Sequence, residues 1–251
     1  MKENTSWGNV ADWYDTHLEQ GGDTYQRKVI LPNLLRVLDL KAGESVLDLA
    51  CGQGFFSREF ANAGAKVIGT DISKELIGYA QEHSPKEITF HVSPADNLSF
   101  AKDAEFDVVT IILAIQNIEN ISGVFSEVKR VLSPQGGLIM VLNHPAFRIP
   151  KQSEWGWDEE KQIQYRRIDR YLSPQKISIE MHPGEEKGEQ TISYHRSLQD
   201  FFKALSKNGF AISKLEEWIS HRESQEGPRQ KAEDTARKEI PLFLMLEAKK
   251  M

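Results

Sequence analysis

The most constraining feature of this chain is an apolar strand that ends in a glycine turn and is followed by a helix and a second strand. Residues 46–54 read V-L-D-L-A-C-G-Q-G, and residues 67–71 read V-I-G-T-D. Gly52 and Gly54 let the backbone turn sharply and approach a ligand where a Cβ atom would clash. Residues 55–63 have the apolar period of a helix, so the turn lies at a helix N-terminus. This order is typical of half of a nucleoside-binding site.

Two acids within this unit indicate which nucleoside is bound. Asp71 ends the second strand, where an acid in such a fold accepts hydrogen bonds from both ribose hydroxyls. Asp48 lies beside the glycine turn, where it would repel the pyrophosphate of a dinucleotide. The dinucleotide pattern G-x-G-x-x-G/A also fails at Ser57. S-adenosylmethionine has a ribose, a sulfonium and an ammonium but no phosphate, so it is favoured. An ordinary α/β turn with an acid near the helix is the alternative.

Four motifs carry a resemblance to a known family. The chain resembles the class I S-adenosylmethionine-dependent methyltransferases, in particular the type 11 group that includes the ubiquinone and menaquinone biosynthesis methyltransferases, over roughly residues 40–145. The motifs are V-L-D-L-A-C-G-Q-G, V-I-G-T-D-I-S, F-D-V-V-T-I-I-L-A-I-Q-N-I at 106–118 and V-K-R-V-L-S-P-Q-G-G-L-I-M-V at 128–141. The resemblance implies in-line methyl transfer from S-adenosylmethionine to a small-molecule acceptor, with S-adenosylhomocysteine as product. It does not indicate which acceptor.

Composition limits the size and the partners of the protein. A chain of 251 residues with 39% hydrophobic content can bury one substantial core. The formal net charge of −6 disfavours a broad nucleic-acid interface. The start of the chain lacks the apolar core of a signal peptide, and no apolar run approaches the roughly 18 residues of a membrane span. With a single cysteine, Cys51, these features predict a cytoplasmic protein; the oligomeric state is open.

Alternating strands and helices predict an α/β fold with a doubly wound, Rossmann-like, seven-stranded sheet in a single domain, residues 1–251. The resemblance adds that the last strand is antiparallel. Residues 1–40 are expected to form an N-terminal helical cap over the cofactor, kinked or restarted at Pro32. The predicted strands are 45–50, 65–70, 87–92, 106–113, 137–143, 210–218 and 242–248. The predicted helices are 54–63, 73–83, 121–132 and 198–208, and 221–239 is expected to be a charged loop and helix.

The segment 146–196 is a polar and aromatic insertion after strand five. Ligands of open α/β sheets bind beyond the carboxyl ends of the strands, so an insertion there is expected to act as a lid over the acceptor. Helical spacing is predicted near 158–168, and a hairpin is predicted from 176–181 and 190–195. A decorative or dimer-forming subdomain is the alternative. Cationic residues of the insertion would suit an anionic or phenolic acceptor, or would form solvated ion pairs: Arg148, Arg166, Arg167, Arg170, His182 and His195.

The resemblance implies a cofactor site around the glycine turn. Gly52 and Gly54 would make room for the methionine part, Asp48 would lie near its ammonium, Asp71 would hold the ribose, and Ile72 would pack on the adenine. Pro94 stands where relatives carry an acid, which leaves the adenine edge to the backbone N–H of Ala95 and the carboxylate of Asp96. The remaining expected cofactor contacts are Ala50, Cys51 and Ile112.

Three residues after strands four and five are candidates for the chemistry. Gln116 and Asn117 would face the methyl end of the cofactor, or cap the following helix. His144 would remove a proton from the acceptor, orient the lid or bind a backbone carbonyl. Tyr14 and Tyr25 would close over the methionine carboxylate or pack the N-terminal segment.

Two other functions stay open at this stage. One is a nicotinamide-dependent oxidoreductase, which Asp48 and Ser57 oppose. The other is a non-catalytic regulator that binds S-adenosylmethionine, for which Pro94 is the hint. The sequence has no metal-ligand spacing, because His182 and His195 are isolated and no second cysteine exists.

Overall fold

The structure is a computed structural model, and it describes residues 23–180 and 190–251. The helices are α1 Leu31–Leu38, α2 Phe55–Asn62, α3 Lys74–Glu82, α4 Ile121–Val131, α5 Leu198–Lys207 and α6 Gln230–Glu239. The strands are β1 Ser45–Leu49, β2 Lys66–Asp71, β3 Thr89–Val92, β4 Phe106–Ile112, β5 Leu132–Asn143, β6 Ser153–Asp158, β7 Ile163–Ile168, β8 Gln175–Glu180, β9 Gln190–His195, β10 Phe210–Trp218 and β11 Phe243–Lys250.

A seven-stranded sheet in the order β10-β11-β5-β4-β1-β2-β3 forms the centre of the described chain. Neighbouring strands among β1 to β5 run parallel, whereas β11 is antiparallel to both β5 and β10. The doubly wound α/β prediction and the antiparallel last strand are therefore confirmed. β5 begins at Leu132, immediately after α4, and is longer than its predicted range 137–143.

Each face of the sheet is covered by its own hydrophobic layer. Alternate residues of β1 point to opposite sides: Val46 belongs to one cluster, while Leu47 and Leu49 belong to the other. All three side chains are fully buried, as expected for a parallel strand between two helical layers. Val124 and Val128, one helical turn apart on α4, pack into the same cluster as Leu47. Burial on both faces fixes the register of β1 and hence the position of the turn that follows it.

The helix around Pro32 continues without a break. A π-helical segment, Gln26–Ile30, leads directly into α1, and the N–H of Leu31 donates to the carbonyl of Gln26. Pro32 lies in the first turn of α1, where its missing N–H interrupts the hydrogen-bond ladder least. The widened turn before Pro32 accommodates the proline, and the regular α-helix begins at Leu31, next to Pro32.

The insertion after β5 differs from its prediction in one half. Residues 153–168 form an antiparallel hairpin of β6 and β7, in which Trp155 pairs with Arg166. The helical spacing predicted near 158–168 is therefore wrong, because the polar and apolar residues alternate along two strands. The second predicted hairpin is found as β8 and β9, and the residues between them lie outside the described range. No helix within the described ranges is long and apolar enough to cross a membrane.

Candidate functional site

A cavity of about 420 Å³ opens at the carboxyl ends of β1, β2 and β4. The strand order reverses between β1 and β4, and such switch points are where open α/β sheets bind ligands. Ala50 and Leu113 end these two strands with φ angles of 58° and 55°, a left-handed conformation that non-glycine residues rarely adopt. Both residues line the cavity. The mouth of the sheet therefore contains two strained residues, a feature that is common at functional sites.

Asp48 is a buried carboxylate in the wall of the cavity. Its side chain is 2% exposed and accepts hydrogen bonds from the hydroxyls of Ser57, at 2.6 Å, and Thr110, at 3.1 Å. Burial raises the pKa of Asp48 to about 6, and the two hydroxyls offset only part of that effect. A bound cation would stabilise the charged form of Asp48 and so compensate for its desolvation. A bound phosphate would instead repel that charge.

Asp71 holds the glycine turn in place. Its carboxylate accepts hydrogen bonds from the N–H of Gly52, at 3.0 Å, and from the N–H of Ser73, at 2.9 Å. Desolvation raises the pKa of Asp71, and these two backbone donors act against that rise. Gly52 has φ +57°, and a Cβ atom built on it would have no atom within 4 Å. Its conformation favours glycine, and the space beside it is open.

Gly54 lies elsewhere than expected. A Cβ atom at Gly54 would meet Phe90 of β3 at 3.0 Å and Ala80 of α3 at 3.1 Å, which are core residues. With φ +81°, Gly54 is required for the turn and for close packing. It does not line the cavity, so the expectation that it makes room for a ligand is corrected.

The far side of the cavity combines apolar and polar groups. Ile72 is 55% exposed and lines the cavity, where a planar apolar ligand group would cover it. Pro94, Ala95 and Asp96 line the cavity near Ile72. The carboxylate of Asp96 accepts a hydrogen bond of 2.8 Å from Asn120, the residue that caps α4. Asp96 is therefore already oriented by the protein.

Comparisons with known proteins identify the family of this chain. Residues 47–140 match a family described as "Methyltransferase domain". The chain is 26% identical to an S-adenosylmethionine dependent methyltransferase of Mesorhizobium loti, whose crystal structure matches with a TM-score of 0.67 over 86% of this chain and 95% of that one. The chain belongs to the class I S-adenosylmethionine-dependent methyltransferases. S-adenosylmethionine is therefore its cofactor.

Two curated relatives of this methyltransferase have similar sequences. One is an uncharacterized protein of Haemophilus influenzae, 29% identical over 74% of each chain. The other is the demethylmenaquinone methyltransferase of Paenarthrobacter aurescens, 32% identical over 58% of this chain and 56% of that protein. The chain spans about half the length, from 41% to 64%, of the demethylmenaquinone and ubiquinone methyltransferases that it matches.

Asn117 and Gln116 lie in one short 3₁₀ turn of the methyltransferase but face different sides. Asn117 lines the cavity, and its side-chain amide donates a 3.0 Å hydrogen bond to the carbonyl of Ile192 on β9. Gln116 donates to the carbonyl of Leu113 and does not line the cavity. The structure thus brings only Asn117 of this pair to the cofactor cavity.

His144 and Tyr25 are also placed away from the cavity. His144 is buried, with Nε2 at 2.8 Å from a carboxylate oxygen of Glu217 and Nδ1 accepting the N–H of Ala146. His144 thus connects the end of β5 to β10 and does not line the cofactor cavity, so the structure gives no contact that supports its predicted role as a base. The hydroxyl of Tyr25 is 3.2 Å from that of Ser220, so Tyr25 packs the N-terminal helix. Tyr14 lies outside the described residues.

Sequence reasoning missed two residues of the methyltransferase site. Ser57 was considered only as a departure from the dinucleotide pattern, yet it binds Asp48. A hydroxyl residue one helical turn after the glycine turn was the available signal. Gln53 lines the cavity, and its side-chain oxygen accepts 2.7 Å from Arg58, which also binds the Gln53 carbonyl. This pair stiffens the turn between Gly52 and Gly54.

The other expected cofactor contacts lie at the cavity. Ala50, Cys51 and Ile112 all line it. Burial raises the pKa of the Cys51 thiol well above its ordinary value, so the thiol stays protonated. Cys51 is therefore a small wall residue and not a nucleophile.

Proposed function

We propose that this methyltransferase transfers the methyl group of S-adenosylmethionine to a small-molecule acceptor. The observation that carries the proposal is the buried carboxylate of Asp48 in a wall of the cavity, which has a raised pKa and no cationic partner among the groups that shift it. A cationic ligand relieves that burial, and a pyrophosphate does not. Asp48 would hold the ammonium of the methionine part.

Other residues would fix the nucleoside part. The carboxylate of Asp71 has acceptor capacity left after binding two backbone N–H groups, and ribose hydroxyls would use it. Ile72 and Ala95 would enclose the adenine, and the backbone N–H of Ala95 together with Asp96 would bind its polar edge. These groups match the cofactor as they stand, and no further charged side chain has to move into the cavity.

The chemistry requires alignment more than it requires catalytic groups. Bound S-adenosylmethionine supplies an electrophilic methyl group on a sulfonium. The task of this chain is to orient the acceptor in line with that methyl group and to exclude water. Thr191 and Ile192 of β9, in the insertion, also line the cavity. We propose that the insertion, 146–196, covers the acceptor there as a lid.

A small acceptor fits both the charge of the protein and its relatives. The net charge of −6 disfavours a nucleic-acid substrate. The names of the similar demethylmenaquinone methyltransferase and ubiquinone biosynthesis O-methyltransferase proteins indicate acceptors of low molecular mass in those proteins. This chain spans about half of their length, so their substrates do not transfer directly.

Calorimetry tests the cofactor part of the proposal. We expect S-adenosylhomocysteine to bind with one site per chain and NAD to produce no heat. Binding of NAD but not of S-adenosylhomocysteine would favour an oxidoreductase, and no binding at millimolar S-adenosylhomocysteine would end the proposal. A mass-spectrometric search for metabolites that gain a methyl group then tests turnover. Binding without turnover across a broad acceptor panel would favour a non-catalytic regulator.

A further inference from the structure

A second, small cavity is lined by the last residues of β9, whereas Thr191 and Ile192 of the same strand line the cofactor cavity. The small cavity has a volume of about 30 Å³ and is lined by Arg148, which follows β5, and Arg196, which follows β9. Residues of β9 line both cavities, as do the neighbours Gln116 and Asn117, each on its own side. β9 and the short 3₁₀ turn therefore contribute to the walls of both cavities.

Arg148 carries a charge that nothing in the described chain neutralises. Its Nε is buried and lacks a hydrogen-bond partner among the described residues. Its guanidinium lies 5.4 Å from the centre of the Trp155 ring. Arg166 stacks on the same ring at 5.1 Å and donates to the backbone carbonyl of Phe147. Arg166 therefore has polar partners, whereas the Nε of Arg148 has none.

The charges that reach Arg148 are mainly positive. Burial, and next the charge of Arg166, lower the pKa of Arg148 to about 10, and Arg237 acts in the same direction. Tyr25 is the one group that opposes this lowering. A half-buried cation among other cations is costly unless an anion completes the site.

Arg196 contributes a second incomplete donor from the opposite wall. One of its terminal nitrogens, Nη2, donates to the carbonyls of Ile118 and Glu119. The other, Nη1, is buried without a hydrogen-bond partner among the described residues. Arg148 and Arg196 therefore both border the small cavity, and each has a buried N–H group without a hydrogen-bond partner among the described residues.

We propose that Arg148 and Arg196 bind a carboxylate group of the methyl acceptor. The proposal rests on the proposed function and names the substrate class for that site, an anionic small molecule. A cavity of about 30 Å³ holds roughly two or three water-sized atoms, which suits the two oxygens of a carboxylate. A phosphate monoester has three terminal oxygens and a larger hydration shell. Arginine binds carboxylates through paired N–H donors, so this site selects by geometry as well as by charge.

Benzoate is the probe, with the isosteric neutral benzamide as its control. The Nε–Hε signal of Arg148 in a ¹⁵N correlation spectrum, assigned by its loss in Arg148→Met, reports directly on the unpartnered donor. We expect benzoate to shift this signal and benzamide to leave it in place. Calorimetry of benzoate with the S-adenosylhomocysteine complex should show affinity reduced about tenfold or more in Arg148→Met and less in Arg148→Lys.

Arg167→Met is the matched control. Arg167 is adjacent to Arg166, is 59% exposed, and forms ion pairs with Glu154 and Asp169, so its loss should leave benzoate binding unchanged. Binding of S-adenosylhomocysteine by every variant verifies the fold, because Arg148 does not line that cavity.

Five outcomes decide the proposal. Equal shifts with benzoate and benzamide, or unchanged benzoate affinity in Arg148→Met, would overturn it. Stronger binding of phenyl phosphate than of benzoate would replace the carboxylate by a phosphate ester. If the variants bind S-adenosylhomocysteine normally but the Arg148 signal does not respond to benzoate, the carboxylate inference is overturned and the proposed function stands. Failure of S-adenosylhomocysteine to bind wild-type protein overturns the proposed function instead.

Discussion

An acidic side, in the wall of the cofactor cavity, and a basic side, in the insertion, bury opposite charges by different means. On the side of β1 and β2, Asp48 and Asp71 are fixed by hydroxyl and backbone N–H donors at 2.6 to 3.1 Å. On the side of the insertion, Arg148 and Arg166 stack on the ring of Trp155. Hydrogen bonds fix both distance and direction, whereas stacking fixes mainly distance. The acidic side is thus preorganised for one ligand, whereas the guanidinium of Arg148 on the basic side is fixed less in direction.

The largest effect is expected from Asp48→Asn. This change removes the carboxylate that would bind the cofactor ammonium, so S-adenosylhomocysteine should bind roughly 10- to 100-fold more weakly, as expected for a hydrogen bond to a charged group. Asp39→Asn is the control, because Asp39 is 80% exposed and removes the same charge far from the cavity. Calorimetry of both variants measures the difference. Equal affinities would break the comparison, because Asp48 would then be a structural acid.

The same variant should be more stable without ligand. Folding raises the pKa of Asp48 from 3.8 to about 6, so the folded protein holds that proton more tightly than the unfolded chain. Its contribution to the free energy of unfolding is present below the unfolded pKa and is lost as pH rises through the folded pKa. At pH 7.5, Asp48→Asn should therefore gain about 1 to 3 kcal/mol in urea unfolding, and the gain should disappear near pH 4. A loss at pH 7.5 would show that the Ser57 and Thr110 hydrogen bonds outweigh the burial of charge.

Gly54→Ala should cost about 2 kcal/mol of stability, because alanine is strained in the left-handed region and its Cβ would press on Phe90. Gly78→Ala is the matched control: Gly78 lies on α3 with no atom within 4 Å of the added Cβ, so the change should stabilise by about 0.5 to 1 kcal/mol. Chemical denaturation of the two variants gives both values. Similar effects of the two changes would show that the turn is not rigid and that the acidic side is less preorganised than stated.

Cofactor affinity should also depend on pH. Because the Asp48 carboxyl has a pKa of about 6 in the free protein, its ionised form falls to about a tenth at pH 5. Binding of S-adenosylhomocysteine should therefore weaken roughly tenfold from pH 7.5 to pH 5. Asp48→Asn should flatten this dependence. A pH dependence that persists unchanged in the variant would assign the titration to another group, such as Asp71, whose pKa burial also raises.

The smallest effect is expected for Asn117→Ala, which removes the hydrogen bond to the Ile192 carbonyl. We expect the β8 and β9 hairpin to loosen by about 1 kcal/mol, seen as faster amide hydrogen exchange in 190–195. Ser178→Ala is the control within the same hairpin, because the hydroxyl of Ser178 binds only the exposed side chain of Gln190. Unchanged exchange in Asn117→Ala would show that the basic side is held without this contact.

The difference between the acidic and basic sides also determines which features the sequence predicts. The strand, turn and helix from Val46 to Asn62 follow from local rules: apolar alternation, glycines in left-handed conformations and a helix start. Asp48, Asp71 and Gly52 therefore lie at the cavity where the pattern indicated. Long buried strands such as β4 are predicted well for the same reason, since their apolar runs admit few alternatives.

The contacts of the insertion depend on distant partners and could not be predicted in the same way. The role of His144 was decided by Glu217, and that of Asn117 by Ile192. The sequence predicts a helix in place of the β6 and β7 hairpin because the turn lacks the usual glycine or proline signal. In the structure, Gln162 adopts the left-handed conformation of that turn, with φ 53°. Cross-strand pairs fix such a hairpin, and a single sequence does not display them.

The position of β11 sets an order of events during synthesis. β11 lies between β5 and β10, so the earlier strand β10 cannot join the sheet until residues 243–250 have left the ribosome. Strands β1 to β5 are parallel neighbours and need no later residue to pair. Strands β1 to β5 can therefore assemble on the nascent chain, with β5 as an unpaired edge strand until β11 emerges, and this state is the most exposed to aggregation and to chaperone binding.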